Sequence, residues 1–171
     1  LALEYAEGDL LVLTDDDVIP HEDWLSAWRS CVDEHPRFGV FGGMIEIHWL
    51  ERPPPWIGAA IPLGIAFART HRDLVSEEVD PRYVTGPNMA IRIEAIRKGL
   101  RFDEVKGPAG SDYAMGEDTA FAYAAQARGY IAGLKYNDSF YLEPREGVPS
   151  LLGASVSSGG RVTFRNVPVR N

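Results

Sequence analysis

The sequence predicts an α/β domain, and three observations carry that expectation. Residues Leu10-Leu11-Val12-Leu13-Thr14 form an apolar run that ends on Asp15-Asp16-Asp17, the pattern of a strand buried on both faces of a parallel sheet. Further short strand-like runs follow, separated by segments with helical spacing or a closing glycine. The chain of 171 residues, 45% hydrophobic and 25% charged, has the size and proportions of one globular domain with a real core.

Taken in order, residues 1–7 read as the end of a helix, with Gly8 in the place of a C-terminal glycine. Residues 10–14 are the buried strand. After Pro20, Glu22 and Asp23 suit the first turn of a helix, and Trp24, Leu25, Trp28, Cys31 and Val32 mark its apolar face. Phe38 to Trp49 reads as a strand pair or one bent strand, with Gly42-Gly43 as a kink or close-approach point. Residues 50–82 contain Pro53-Pro54-Pro55 and little periodicity, and read as a long surface excursion. Val84 starts a short strand into Gly86-Pro87-Asn88-Met89-Ala90-Ile91, and Glu94–Lys98 is a short helix closed at Gly99. A flexible Gly107–Ser111 loop precedes Gly116-Glu117-Asp118-Thr119, which opens a helix running to Arg128 and closed by Gly129. Tyr130–Tyr136 and Phe140–Leu142 read as strands, and the Gly/Ser-rich residues 149–171 as a frayed tail.

Composition excludes several classes. A net charge of −8 and a pI near 5.0 argue against nonspecific binding to nucleic acid or anionic membranes. No apolar run approaches the ~18–20 residues of a membrane span. The single cysteine, Cys31, permits no internal disulfide and favours a reducing compartment; its place on an apolar helix face suits a buried structural thiol. The chain opens at Leu1 without Met or signal peptide, and is expected to be a piece whose upstream part is missing. His21, His35, His48 and His71 show no metal-ligand spacing.

Three adjacent carboxylates repel one another unless a cation neutralises them, and hard divalent ions prefer such oxygens, often sharing them with a substrate's phosphates. A solvated, Asp-rich turn is the alternative reading. The acidic pair Glu117-Asp118 has its own two readings, a catalytic carboxylate or an N-terminal cap of its own helix. Trp49 and Trp56 suit either a sugar-stacking surface or packing.

The ordered set Thr14-Asp15-Asp16-Asp17-Val18-Ile19-Pro20 followed by Trp24-Leu25, then Gly86-Pro87-Asn88-Met89-Ala90-Ile91-Arg92, Gly99-Leu100-Arg101-Phe102-Asp103-Glu104 and Gly116-Glu117-Asp118-Thr119 resembles the second half of a family 2 glycosyltransferase with the GT-A fold. The resemblance covers roughly residues 1 to 145, so residues 1–148 are expected to form the C-terminal part of such a domain. It implies a three-layer α/β/α sandwich around a mixed, mostly parallel sheet, lacking the first nucleotide-binding βα units. It implies that Asp15 and Asp17 bind a divalent metal, Mn²⁺ or Mg²⁺, and the sugar-nucleotide, with Asp16 on the ribose or orienting its neighbours. Asn88 matches a position near the donor sugar, Glu117 faces the acceptor, and Asp118 is the catalytic base. The implied activity is metal-dependent, inverting transfer of a sugar from a nucleotide-sugar, UDP-linked or another, to a hydroxyl acceptor, as in cell-wall or polysaccharide biosynthesis.

The chemistry asks for these residue types independently. A leaving diphosphate needs its charge neutralised, which a carboxylate-held metal supplies. An acceptor hydroxyl must lose its proton as it attacks, and a positioned carboxylate base contributes roughly 10²–10⁴-fold. The sequence also departs from the family. Where many relatives carry a His after the last strand, it has Phe140-Tyr141-Leu142-Glu143-Pro144-Arg145; Glu143 would replace the His as a metal ligand or face solvent, and Arg145 would contact diphosphate. Two rivals remain at this level. A nucleotidyltransferase would need a Gly-rich phosphate loop with a basic residue, which is not in the sequence, and would release pyrophosphate. A truncated or degenerate relative would bind metal, glycan or a partner without turnover. The expected location is cytoplasmic, with peripheral association at the inner membrane face as the alternative; the acidic charge gives that alternative no support.

Overall fold

The structure, a computed structural model, describes residues 8–15, 18–49, 52–70, 78–103, 116–135, 142–144, 154–156 and 162–164. The expected helix end at 1–7, the 107–111 loop, Asp16, Asp17, Arg145 and most of the 149–171 tail lie outside the described residues.

Strands β1 (Leu10–Thr14), β3 (Phe38–Gly43), β4 (Asn88–Arg92) and β5 (Ile131–Lys135) form one sheet in the order β1-β4-β3-β5. β4 pairs antiparallel with both β1 and β3, whereas β3 and β5 are parallel. Three strands therefore point one way and β4 runs against them, a mixed and mostly co-directional sheet. Side chains alternate across it, as the strand period of two requires. Leu10, Val12, Phe41 and Ala90 join Trp24, Trp28, Cys31 and Val32 of α1 (Trp24–Glu34) on one face. Leu11, Leu13, Val40, Met89 and Ile91 join Ala95 and Ile96 of α4 (Ile93–Arg97) and Phe121, Ala122 and Ala125 of α5 (Glu117–Ala127) on the other. The expected α/β/α layering is present, and Cys31 is buried as anticipated.

Local signals end the helices where the sequence placed them. Gly99 and Gly129 follow α4 and α5 at φ +88° and +85°, values that an L side chain rarely adopts. Arg92 secures the end of α1: its guanidinium donates to the carbonyls of Val32 (2.6 Å), His35 (3.0 Å) and Phe38 (2.7 Å). Carbonyls of a last helical turn lack intrahelical donors, and a cation there also suits the dipole.

Several expectations need correction. Leu10–Leu13 are only half-buried, because β1 has a hydrogen-bonded neighbour on one side alone among the described residues. Glu22 and Asp23 precede α1 rather than occupying its first turn, and Asp23 Oδ1 lies 2.6 Å from His21 Nδ1. β4 begins at Asn88, with a 3-10 turn at Pro81–Tyr83 before it. The 50–82 excursion contains α2 (Pro55–Ala60) and α3 (Leu63–Phe67), and buries Ile57, Phe67 and Thr70. Trp49 packs edge-on against Phe67 (5.8 Å, 67°), whereas Trp56 is exposed. Two small sheets complete the described chain: β2 (Val18–Pro20) pairs antiparallel with β6 (Leu142–Pro144), and β7 (Ala154–Val156) with β8 (Val162–Phe164).

Candidate functional site

Strand direction collects the candidate residues at one end of the sheet. β1, β3 and β5 all finish there, at Thr14, Gly43 and Lys135. Because β4 is reversed, its start lies at the same end: Asn88 is opposite Thr14, and Met89 is opposite Gly42. α1 and α5 each precede a strand and run against it, so their N-termini point there too.

Asp118 stands in the first turn of α5, after Gly116 at the N-cap, and no side chain caps the helix. Its Oδ2 accepts the backbone N–H of Gly86 at 2.9 Å, from a segment 32 residues away. The contact is close: a Cβ on Gly86 would lie 2.6 Å from Oδ2 and 3.0 Å from both Cγ and Oδ1 of Asp118. A side chain at position 86 would thus occupy the carboxylate's place. Glu117, one residue earlier, is half-buried, and its Oε2 is a buried oxygen with no hydrogen-bond partner among the described residues.

Asn88 is fully buried. Its Nδ2 donates to the Met44 carbonyl (2.8 Å), and its Oδ1 accepts the Trp24 indole N–H (2.9 Å). It packs so tightly over Gly43 that a Cβ there would come within 2.2 Å of Nδ2. Asn88 therefore ties β4 to the end of β3 and to the start of α1. Its burial means that a part in donor binding would run through the groups it holds. The sequence marks Trp24 only as an apolar helix-face residue; its polar role needs the fold.

Asp15 follows β1 directly and is half-buried. Glu143 lies in β6, in register with Ile19 of β2, the strand that begins just after the acid run. Asp16, Asp17 and Arg145 fall outside the described residues, as does the Glu143 side chain. Among the described residues no three His, Cys, Asp or Glu side chains gather as a metal cage.

A polar clamp missed at the sequence level braces the Gly86 segment against α5. Tyr123 of α5 donates its hydroxyl to Asp80 Oδ1 (2.7 Å), while Arg82 donates to the same carboxylate from its backbone (3.0 Å) and guanidinium (2.8 Å). Arg82, then Tyr123, hold Asp80 well below the ordinary aspartate range; in return the phenol of Tyr123 is raised.

The architecture superposes on the crystal structure of S. aureus TarS 1-349 in complex with UDP-GlcNAc, at TM-score 0.56 and 18% identity over 85% of this chain. The fold is GT-A-like. TarS 1-349 in complex with UDP matches at TM-score 0.53 and 17% identity over 83% of the chain. The mannosyltransferase PcManGT from Pyrobaculum calidifontis, in complex with GDP-Man and Mn²⁺, matches at 0.49 and 21% over 88%. The chain spans 38%, 38% and 35% of the protein chains in those three structures. No protein-family model and no curated protein matches the sequence. No helix among the described residues is long and apolar enough to cross a membrane.

Proposed function

We propose that this chain carries the metal, diphosphate and acceptor side of an inverting, family 2-like glycosyltransferase site. One observation carries the reading: Asp118 is held at the sheet end where β1 delivers Asp15, although roughly a hundred residues separate them. The GT-A-like fold, shared with a protein solved with UDP-GlcNAc, supports it.

The division of labour follows from chemistry. Asp15 and Asp17, with Glu143 from β6, are hard oxygen donors suited to Mn²⁺ or Mg²⁺. When bound, such an ion would supply Lewis-acid neutralisation of the leaving nucleoside diphosphate. Asp16 would contact ribose and Arg145 the phosphates. Asp118 accepts the proton of the acceptor hydroxyl as that oxygen attacks the anomeric carbon, and the Gly86 N–H keeps its carboxylate from rotating away. Glu117, with an oxygen that has no partner among the described residues, accepts a hydrogen bond from the acceptor. A single displacement needs no enzyme nucleophile and inverts the anomeric centre. The donor is a nucleotide-sugar and the acceptor a hydroxyl compound.

The first experiment is calorimetric titration of UDP into the folded chain with Mn²⁺, repeated with Asp17→Asn. Metal-dependent binding lost in the variant supports the reading; no binding by a folded chain removes the claim that this chain alone holds a donor. Once a donor–acceptor pair is found, Asp118→Asn is expected to lower turnover roughly 10²–10⁴-fold with donor affinity kept. Unchanged turnover would overturn the base assignment.

A further inference from the structure

Two exposed tyrosines stand beside the contact that seats Asp118. Tyr83 closes the 3-10 turn and is 39% exposed; Tyr123 lies in the second turn of α5 and is 43% exposed. Asp80 and Arg82 join them into one patch. Tyr123 donates its hydroxyl to Asp80 Oδ1 (2.7 Å), and the Arg82 guanidinium, bound to Asp80 Oδ2 (2.8 Å), lies over the Tyr83 ring at 5.8 Å from its centroid. Among the described residues that ion pair takes one terminal nitrogen of Arg82, whose side chain is 62% exposed, so N–H groups remain for a ligand. The two rings are held before anything binds, which spares a ligand the entropy of ordering them.

The patch continues from the candidate site. Residues 80–86 meet α5 at Tyr123 and again at Asp118, and these helix positions are about 7.5 Å apart along the axis at 1.5 Å per residue. The Asp15 end of β1 lies farther off. Asp80 follows Val79, whose N–H bonds the Ala132 carbonyl of β5 (3.0 Å), and three strand spacings of about 4.8 Å separate β5 from β1. The rings thus lie on the Asp118 side of the sheet end rather than on the side where β1 delivers its acids.

We propose that this patch is an acceptor subsite for a saccharide, so that the acceptor is an oligosaccharide reaching from Asp118 to Tyr83 and Tyr123. The inference rests on the reading of Asp118 as the base. A pyranose ring has apolar C–H faces and a rim of hydroxyls; flat aromatic rings suit the faces, and guanidinium N–H groups suit the hydroxyls. A neutral ligand of this kind is indifferent to the net charge of −8.

The test is saturation-transfer NMR on the full chain with defined gluco-, manno-, galacto- and N-acetylglucosamine oligosaccharides, from mono- to tetrasaccharide at millimolar concentration, and needs no enzymatic turnover. Irradiated tyrosine protons are expected to pass saturation to the sugar C–H protons of a series whose affinity rises from the mono- to the trisaccharide. Tyr83→Ala should lower trisaccharide affinity roughly tenfold and leave the monosaccharide unchanged, whereas Tyr83→Phe, which keeps the ring, should retain binding. The side chain is exposed, and circular dichroism checks that each variant folds. Failure of every series to receive saturation overturns the proposal, as does undiminished trisaccharide binding by Tyr83→Ala. Saturation of the uridine protons of UDP, lost in Tyr83→Ala, would assign the rings to the donor's base instead. Metal-dependent UDP binding lost in Asp17→Asn, without saccharide binding, would remove this inference alone and leave the proposed donor side standing.

Discussion

Gly86→Ala tests whether the Asp118 carboxylate is seated against the Gly86 turn. The new methyl carbon would stand 2.6 Å from Asp118 Oδ2, whereas ordinary contact begins near 3.4 Å; carboxylate and turn must separate by close to a full ångström. That shift breaks the 2.9 Å hydrogen bond. Overpacking of this kind costs about 2 kcal/mol, and a lost hydrogen bond to a charged group adds about 1.5 kcal/mol. Alanine returns about 0.5 kcal/mol by restricting the unfolded chain, so the net loss is about 3 kcal/mol. Asp118→Ala loses the same hydrogen bond, about 1.5 kcal/mol. In the double variant the methyl meets no carboxylate; the hydrogen-bond loss remains and the alanine return offsets part of it, leaving about 1 kcal/mol. The coupling term is therefore about −3.5 kcal/mol, measured by urea unfolding of the four proteins. Additive effects, with coupling within about 0.5 kcal/mol of zero, would refute the seating of Asp118 and, with it, the geometric basis of the proposed base.

Two further substitutions probe what supports the site. Trp24→Phe removes the indole donor that Asn88 Oδ1 accepts at 2.9 Å in the core, and should cost about 1–3 kcal/mol in urea unfolding; Asn88→Ala in the same background should then cost less than it does alone. Asp80→Asn should alter the acid limb of stability. The folded-state pKa of Asp80 is depressed from 3.8, so its contribution is present above pH 3.8 and is lost as pH falls through the lower folded value. Thermal melts from neutral pH downward should show a shallower acid loss in Asp80→Asn than in the wild type; parallel curves would contradict the clamp.

Where a signal was local, the sequence carried it. The apolar run ending on acids marked β1, and the apolar stripe Trp24, Trp28, Cys31, Val32 marked α1. Glycines at left-handed φ closed α4 and α5 within a residue or two of the expected ends. Pairing was not legible, because register depends on partners far along the chain. Nothing in the Gly86–Arg92 run announces that it lies between β1 and β3, and nothing in Leu142–Pro144 announces β2 as its partner. α2 and α3 were missed for another reason. Proline, glycine and alanine blur the 3.6-residue period, although Pro55 at the first helical position is a start signal that could have marked α2. Asn88 shows the limit for single residues, since its type suits a ligand contact and only the fold reveals a buried tie between Trp24 and Met44.

The reversed strand β4 explains why acids so distant in sequence share one end of the molecule. Were β4 parallel to its neighbours, the Gly86 turn would open at the opposite edge, and Asp118 would have to leave its helix to reach it. Reversal puts the turn's N–H donor beside the carboxyl ends of β1 and β3, and α5 meets it with its first turn because the helix must run against β5. The Tyr123–Asp80–Arg82 clamp joins α5 to the segment that leads into the same turn. Asp118 is thus positioned from its own helix, from the turn and from the clamp. This is the rigidity the proposed base would need, since roughly an ångström of misplacement costs about 10²-fold in rate. β1 has a strand neighbour on one side alone among the described residues, and β2–β6 pairing brings the Glu143 position alongside the strand that follows the acid run.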